Sequence, residues 1–93
     1  MLSKIPGDLK KMEKRSLDKE VLRTAIIAEL DAINLYEQMA DLTKNGEIRK
    51  LLLDVAREEK THVGEFQALL LLKDKQQKTE LEKGKKEVQE LIG

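Results

Sequence analysis

The sequence predicts an all-α fold: an antiparallel hairpin of two long helices followed by a short third helix, with the hairpin pairing with a second copy to complete a four-helix bundle. Three observations carry that expectation. Apolar residues recur at alternating steps of three and four along two long, uninterrupted stretches. The only proline is Pro6, ahead of both stretches, and no strand-like alternation appears anywhere. A chain of 93 residues makes one domain at most, and its single core is thin enough that oligomerisation is the expected remedy.

Each element has its own signals. Residues 1–15 are weakly patterned and are expected to form a flexible N-terminal segment, in which Pro6-Gly7 marks a turn and Asp8 caps a short helical piece through Met12. The helical domain is expected over 16–93. Ser16 reads as the N-cap of the first helix, with Asp18 and Glu20 in a first turn where the helix dipole favours acids. Nothing breaks the helix before about Thr43. Lys44-Asn45-Gly46 reads as its stop, a cation followed by the two residue types that best tolerate left-handed dihedrals. The second helix is expected from Glu47 to about Lys73, and each long helix would measure roughly 40 Å at 1.5 Å per residue. Asp74 to Lys78 reads as a polar connector. Thr79 with Glu82 fits a capping box, so the third helix would run to about Leu91, weakened by Gly84.

The seams of the two long helices are informative. On the first, Leu22, Ile26, Glu29, Ile33, Tyr36 and Ala40 follow one another at steps of four and three; on the second, Ile48, Leu52, Val55, Glu59, His62, Phe66 and Leu69 do the same. Ala25, Leu30, Leu51, Ala56, Val63 and Leu70 widen each stripe. Ionisable residues interrupt each seam at its middle: Glu29 on one, Glu59 and His62 on the other. A carboxylate buried without a partner is expensive, so such residues pair or bind a cation. In an antiparallel hairpin, residues equidistant from the turn share a depth. Residue 44, in the expected turn, is midway between 29 and 59, so the two carboxylates should face each other with His62 one turn away.

Composition removes rival classes. The chain has 18 basic and 18 acidic residues, one His, no Cys and only two aromatic residues, Tyr36 and Phe66. Without Cys there is no disulfide framework, zinc ribbon, iron–sulfur cluster or thiol nucleophile. Zero net charge and scarce aromatics argue against nucleic-acid binding. A lone His leaves little room for a Ser–His–Asp mechanism. The longest apolar run, Ala68 to Leu72, is far short of the ~20 residues that span a bilayer, so no membrane partner is expected. No secretory n-region and h-region pair opens the chain, which reads as cytoplasmic.

Carboxylate oxygens with one imidazole suit iron, manganese or zinc. Di-iron sites in four-helix bundles take a Glu from each of two helices and a Glu-x-x-His from each of the other two. This chain supplies half of that set, one Glu (Glu29) and one Glu-x-x-His (Glu59 to His62), on half of the helices. A two-fold dimer would complete both, holding two metal ions across the interface. The short motif is weak by itself: 12 of 93 residues are Glu, so a Glu three before the only His arises by chance about one time in eight. A seam Glu can also specify register or oligomer state. The conjunction of seam position, mirrored depth and half-site arithmetic favours the metal. Tyr36, two turns beyond Glu29, reads first as packing. Gly64 beside His62 either permits a close helix approach or is neutral. Asp31, Glu58 and Glu65 flank the three residues as an acidic approach for cations or as a solvated face. The Lys/Glu-rich third segment reads as a surface helix whose Leu81, Val88, Leu91 and Ile92 dock on a neighbour.

The stretches Ala28-Glu-Leu-Asp-Ala-Ile-Asn-Leu-Tyr36 and Asp54-Val-Ala-Arg-Glu-Glu-Lys-Thr-His-Val-Gly-Glu-Phe66 closely resemble the encapsulated ferritins, half-ferritins of the ferritin-like superfamily, over roughly residues 16 to 92. The resemblance implies two antiparallel helices and a short C-terminal one, dimerising into a ferritin-like four-helix bundle, with dimers assembling into a ring-shaped decamer. It implies a ferroxidase that oxidises Fe(II) to Fe(III) with oxygen inside an encapsulin shell, where the iron is stored. It assigns Glu29, Glu59 and His62 as iron ligands, matches Tyr36 to a Tyr near the centre and so adds it to the catalytic set, and relates Asp31 and Glu58 to an outer acidic site. Ala28 stands where some members carry Glu. Iron is the implied metal, two per subunit pair, with manganese, zinc or calcium substituting or filling outer sites. The chain ends at Leu91-Ile92-Gly93 without an evident shell-targeting tail, as expected of a domain excised from a shell fusion, a trimmed tail, or encapsulation by another route. Two alternatives remain: a non-enzymatic helical oligomerisation or metal-binding module, and a rubrerythrin-like peroxide reductase, which the absence of a Cys-rich centre disfavours.

Overall fold

The computed structural model describes residues 14–93; the turn and helical piece expected within residues 1–13 lie outside them. Three helices follow in order, α1 (Lys14–Leu42), α2 (Gly46–Lys73) and α3 (Lys75–Ile92), with no strand among the described residues. No described helix is long and apolar enough to cross a membrane. α1 is already helical at Lys14, so Ser16 lies inside it rather than capping it, and no acid stands in its first turn. Lys and Arg, at positions 14 and 15, are good helix formers.

The turn between α1 and α2 is three residues, Thr43 to Asn45, and its chemistry differs from the expected left-handed stop. Asn45 is extended (φ −90°, ψ 121°) and caps α2, its Oδ1 accepting the Ile48 N–H at 3.0 Å. Neither Asn45 nor Gly46 has positive φ. The carbonyls at the end of α1 are met instead by Arg49, whose Nε donates to Ala40 O (3.0 Å) and whose Nη2 donates to Thr43 O (2.8 Å). A guanidinium from the next helix does what a left-handed residue would otherwise do.

The hairpin core is narrow: Leu22, Ile33 and Ala40 from α1 and Ala56 and Leu70 from α2 are buried. The α1 seam therefore lies where the periodicity put it. The α2 seam is rotated. Ile48 and Leu69 are 50% and 45% exposed, while Ala56 and Leu70 are buried, so the innermost line runs Leu52, Ala56, Glu59, Val63, Phe66, Leu70. Ala56 and Ala40 are each 1% exposed; these small residues face inward and the bulkier Ile48 and Leu69 turn outward. A second apolar line, Ile48, Leu51, Val55 and Leu69, is left beside His62 on an open face. Gly64 has open space where a Cβ would stand, so no close approach requires it.

No connector separates α2 from α3. Asp74 alone ends one helix and starts the next: its N–H reaches Leu70 O, and its Oδ1 accepts the Gln77 N–H at 3.0 Å. The expected capping box is absent, because Thr79 already sits inside α3 with its hydroxyl donating to Lys75 O. Asp74 preempts it as a cap five residues nearer to α2. From α1, Arg23 Nη2 reaches Asp74 Oδ2 at 2.5 Å. α3 leaves the hairpin without bringing any α-carbon within 8 Å of one in α1. The molecule measures 47 × 43 × 18 Å, one helix layer thick in its shortest dimension.

The Gln77 N–H holds the Asp74 carboxyl below its ordinary value near 3.8, helped by the charges of Lys19 and Arg23 and opposed by burial. A depressed carboxyl contributes stability that is present above its unfolded value and is lost as pH falls through the lower folded value. The Gln77 amide resonance is therefore expected to shift as pH falls below about 4 and its bond to the carboxylate is lost, and Asp74→Asn is expected to abolish that acid step.

Candidate metal centre

Glu29 comes from the middle of α1, and Glu59 and His62 from the middle of α2. Both helices run unbroken through these positions, and the three-residue turn centred on Lys44 brings the two Glu to the same depth. Their side chains converge. His62 Nδ1 lies 3.4 Å from Glu29 Oε2 and 3.4 Å from Glu59 Oε2. One donor atom from each of the three lies within 4.8 Å of the others, and no other group of three such residues forms among the described residues.

Burial is graded across the site. The Glu29 and Glu59 side chains are 21% and 18% exposed, and His62 is 44% exposed. The two carboxylates sit inside the hairpin, while the imidazole opens onto the face lined by Ile48, Leu51, Val55 and Leu69. Glu29 Oε2 is buried and has no hydrogen-bond partner; His62 Nδ1 at 3.4 Å is too far to be a good one. Leaving such an oxygen unmet costs on the order of 1–3 kcal/mol, more if it is charged. Two carboxylate oxygens and an imidazole nitrogen aimed at one point, with an acceptor left over, form the donor set of an oxygen- and nitrogen-preferring cation. Their separations suit an ion with bonds of about 2.1 Å, whose ligand atoms lie ~3–4 Å from one another.

Other residues singled out in the sequence stand apart. Tyr36 is half-buried two turns beyond Glu29, ~10 Å along the helix axis. Asp31 is half-buried, Glu58 and Glu65 are exposed, and none of them joins the cluster. One contributor escaped sequence reasoning. Lys60, between Glu59 and His62, reaches Glu37 of α1 with Nζ 3.1 Å from Oε2, an exposed ion pair across the hairpin beside the cluster. Its only signal in the sequence is opposite charge on facing helices, too common to single it out.

Relatives place this geometry. The rubrerythrin family profile matches residues 20–92. The crystal structure of the encapsulated ferritin domain from Pyrococcus furiosus matches the fold with a TM-score of 0.85 at 60% identity, covering 96% of this chain and 89% of that one. The chain belongs to the rubrerythrin family, among the encapsulated ferritins. A second relative, the ferritin-like–encapsulin shell fusion protein of P. furiosus, is 68% identical over 74 residues. That match covers 80% of this chain and 21% of the fusion, so the chain spans about a fifth of this relative's length. The encapsulated-ferritin fold is the hairpin with a projecting third helix described above.

A metal that does not turn over tests binding separately from chemistry. Zn(II) or Co(II) at about 100 times its dissociation constant is expected to stabilise this ferritin domain by about 2.7 kcal/mol in thermal melts. Glu29→Gln, Glu59→Gln and His62→Ala are each expected to lose most of that gain, while Glu65→Gln keeps it; an undiminished gain in the triple variant would place the cation elsewhere.

Proposed function

We propose that this encapsulated ferritin binds Fe(II) as its substrate and oxidises it to Fe(III) with dioxygen at a site shared by two copies of the chain. The observation that carries the reading is the convergence of Glu29, Glu59 and His62 on one point with Glu29 Oε2 buried and unmet. Carboxylates stabilise Fe(III) over Fe(II) because the higher charge gains more from anionic oxygen, so a carboxylate-rich site favours loss of the electron.

One chain offers three protein donors from one side, and His62 lies at the edge of the open apolar face. A second copy related by a two-fold axis on that face supplies the same three donors, giving four Glu and two His for two irons. Ile48, Leu51 and Leu69, exposed in the single chain, would be buried by the same step, which favours association and site assembly together. Two iron ions held side by side offer two electrons to one oxygen molecule. Within this reading Glu29 and Glu59 would hold the irons through carboxylate oxygens and His62 through an imidazole nitrogen, with the Lys60–Glu37 ion pair beside them. Tyr36 is placed two turns away, near enough to the seam to influence the site's surroundings.

Assembly beyond the dimer into a decameric ring, and residence inside an encapsulin shell in the cytoplasm, belong to the same proposal. They are supported by the family and by the relative in which a ferritin-like part is fused to an encapsulin shell. Storage of the oxidised iron then falls to the shell, because a hairpin one layer thick encloses no mineral.

Aerobic Fe(II) oxidation followed by Fe(III) absorbance is expected to exceed the buffer rate, with Glu29→Ala, Glu59→Ala and His62→Ala each slowing it at least about tenfold, about 1.4 kcal/mol of barrier. A rate equal to that of buffer, or one unchanged in all three variants, contradicts the proposal. Faster turnover with hydrogen peroxide than with oxygen would mark a rubrerythrin-like peroxide reductase instead.

A further inference from the structure

The break between α2 and α3 is one residue long and carries none of the usual helix breakers. From Leu70 to Lys78 there is neither Pro nor Gly. The inner line of α2 continues through the break in helical register, with Asp74, Gln77 and Gly84 among its apolar residues: Val63, Phe66, Leu70, Asp74, Gln77, Leu81, Gly84, Val88 and Leu91 are three or four residues apart throughout. The register across the break is thus compatible with one helix over residues 46–92, with an acid on its seam at position 74. The bend forfeits the three helical bonds that the N–H groups of Lys75, Gln76 and Gln77 would make to the carbonyls four residues back. Only Gln77 regains a partner, the Asp74 carboxylate.

Few other interactions hold the bend. Arg23 of α1 grips the second Asp74 oxygen. Inside the elbow, Ile26, Ile27, Leu70 and Leu81 face an open notch of about 250 Å³ rather than closing on one another. Beyond it Val88, Leu91 and Ile92 are 54%, 83% and 78% exposed.

We propose that Asp74 and Arg23 form a latch that holds α2–α3 bent against a competing state in which the two zip into one continuous helix. Its components are distinct: the Asp74 carboxylate replaces a lost backbone bond at Gln77, and Arg23 anchors that carboxylate to the hairpin. Releasing the latch swings the apolar line of α3 from the side of the hairpin to its end. The two states present that line, and so any neighbour seated on it, in different directions.

The absence of native Cys allows clean labelling of the assembled protein. Spin labels at Lys50→Cys and Glu90→Cys, on exposed positions, with labelled chains diluted among unlabelled ones, report the bend by electron–electron distance. A continuous helix sets the labels ~60 Å apart, 40 residues at 1.5 Å each, and the bent chain sets them well short of that. Asp74→Ala, which removes cap and anchor together, is expected to move the main distance to ~60 Å with unchanged or higher helix content by circular dichroism. Arg23→Gln, which leaves the cap in place, is expected to populate the same long distance in part. A wild-type distance in both variants overturns the latch. So does a broad distribution with lost helicity in Asp74→Ala, which would mean that Asp74 keeps α3 folded rather than bent.

Discussion

Glu29 and Glu59 meet from facing helices in the middle of an apolar seam, and most of the molecule answers to that meeting. Carboxylates in such a place need polar partners. The hairpin provides His62 one turn away at 3.4 Å, leaves a Glu29 oxygen buried without a hydrogen bond, and turns the imidazole toward an open face. The unbroken helices and the short turn keep the two acids at one depth. A longer turn, or a slip of one residue between helices, would part them.

The same constraint is the reason for proposing a second copy. A layer 18 Å thick with five buried apolar side chains among the described residues cannot seal a charged centre from water. The rotation of α2 that buries Ala56 and Leu70 leaves Ile48, Leu51 and Leu69 exposed beside the site, so the unfilled donor positions and the uncovered apolar surface fall on one side. In the proposed dimer, closing the core and completing the metal centre are one event.

The helices and the cluster were legible because both follow from spacing. Steps of three and four locate α1 and α2 without reference to neighbours, and the midpoint at residue 44 needs only antiparallel pairing. What was not legible depends on which of two adjacent stripes wins. Ile48 and Leu69 are better hydrophobes than Ala56, so the pattern put them inside; the inward-facing small residues Ala40 and Ala56 decided otherwise. Caps were misread for a related reason. Asn45 tolerates left-handed dihedrals and also caps well, and the choice turned on Arg49 reaching back to the end of α1. At the far end Asp74 outcompeted Thr79 as a cap, aided by Arg23, 51 residues away. Whether Asp31, Glu58 and Glu65 join the cluster also lay beyond spacing, since helical periodicity fixes a face but not the reach of a side chain.

Native mass spectrometry of the protein titrated with Fe(II) under anaerobic conditions tests the central claim, that the functional unit is two half-sites. The account predicts even-numbered assemblies that gain iron up to two per pair of chains, and loss of both iron and pairing in Glu59→Ala. Single chains that bind iron as tightly as the assemblies, or stable assemblies of the wild type that take up none, would contradict it.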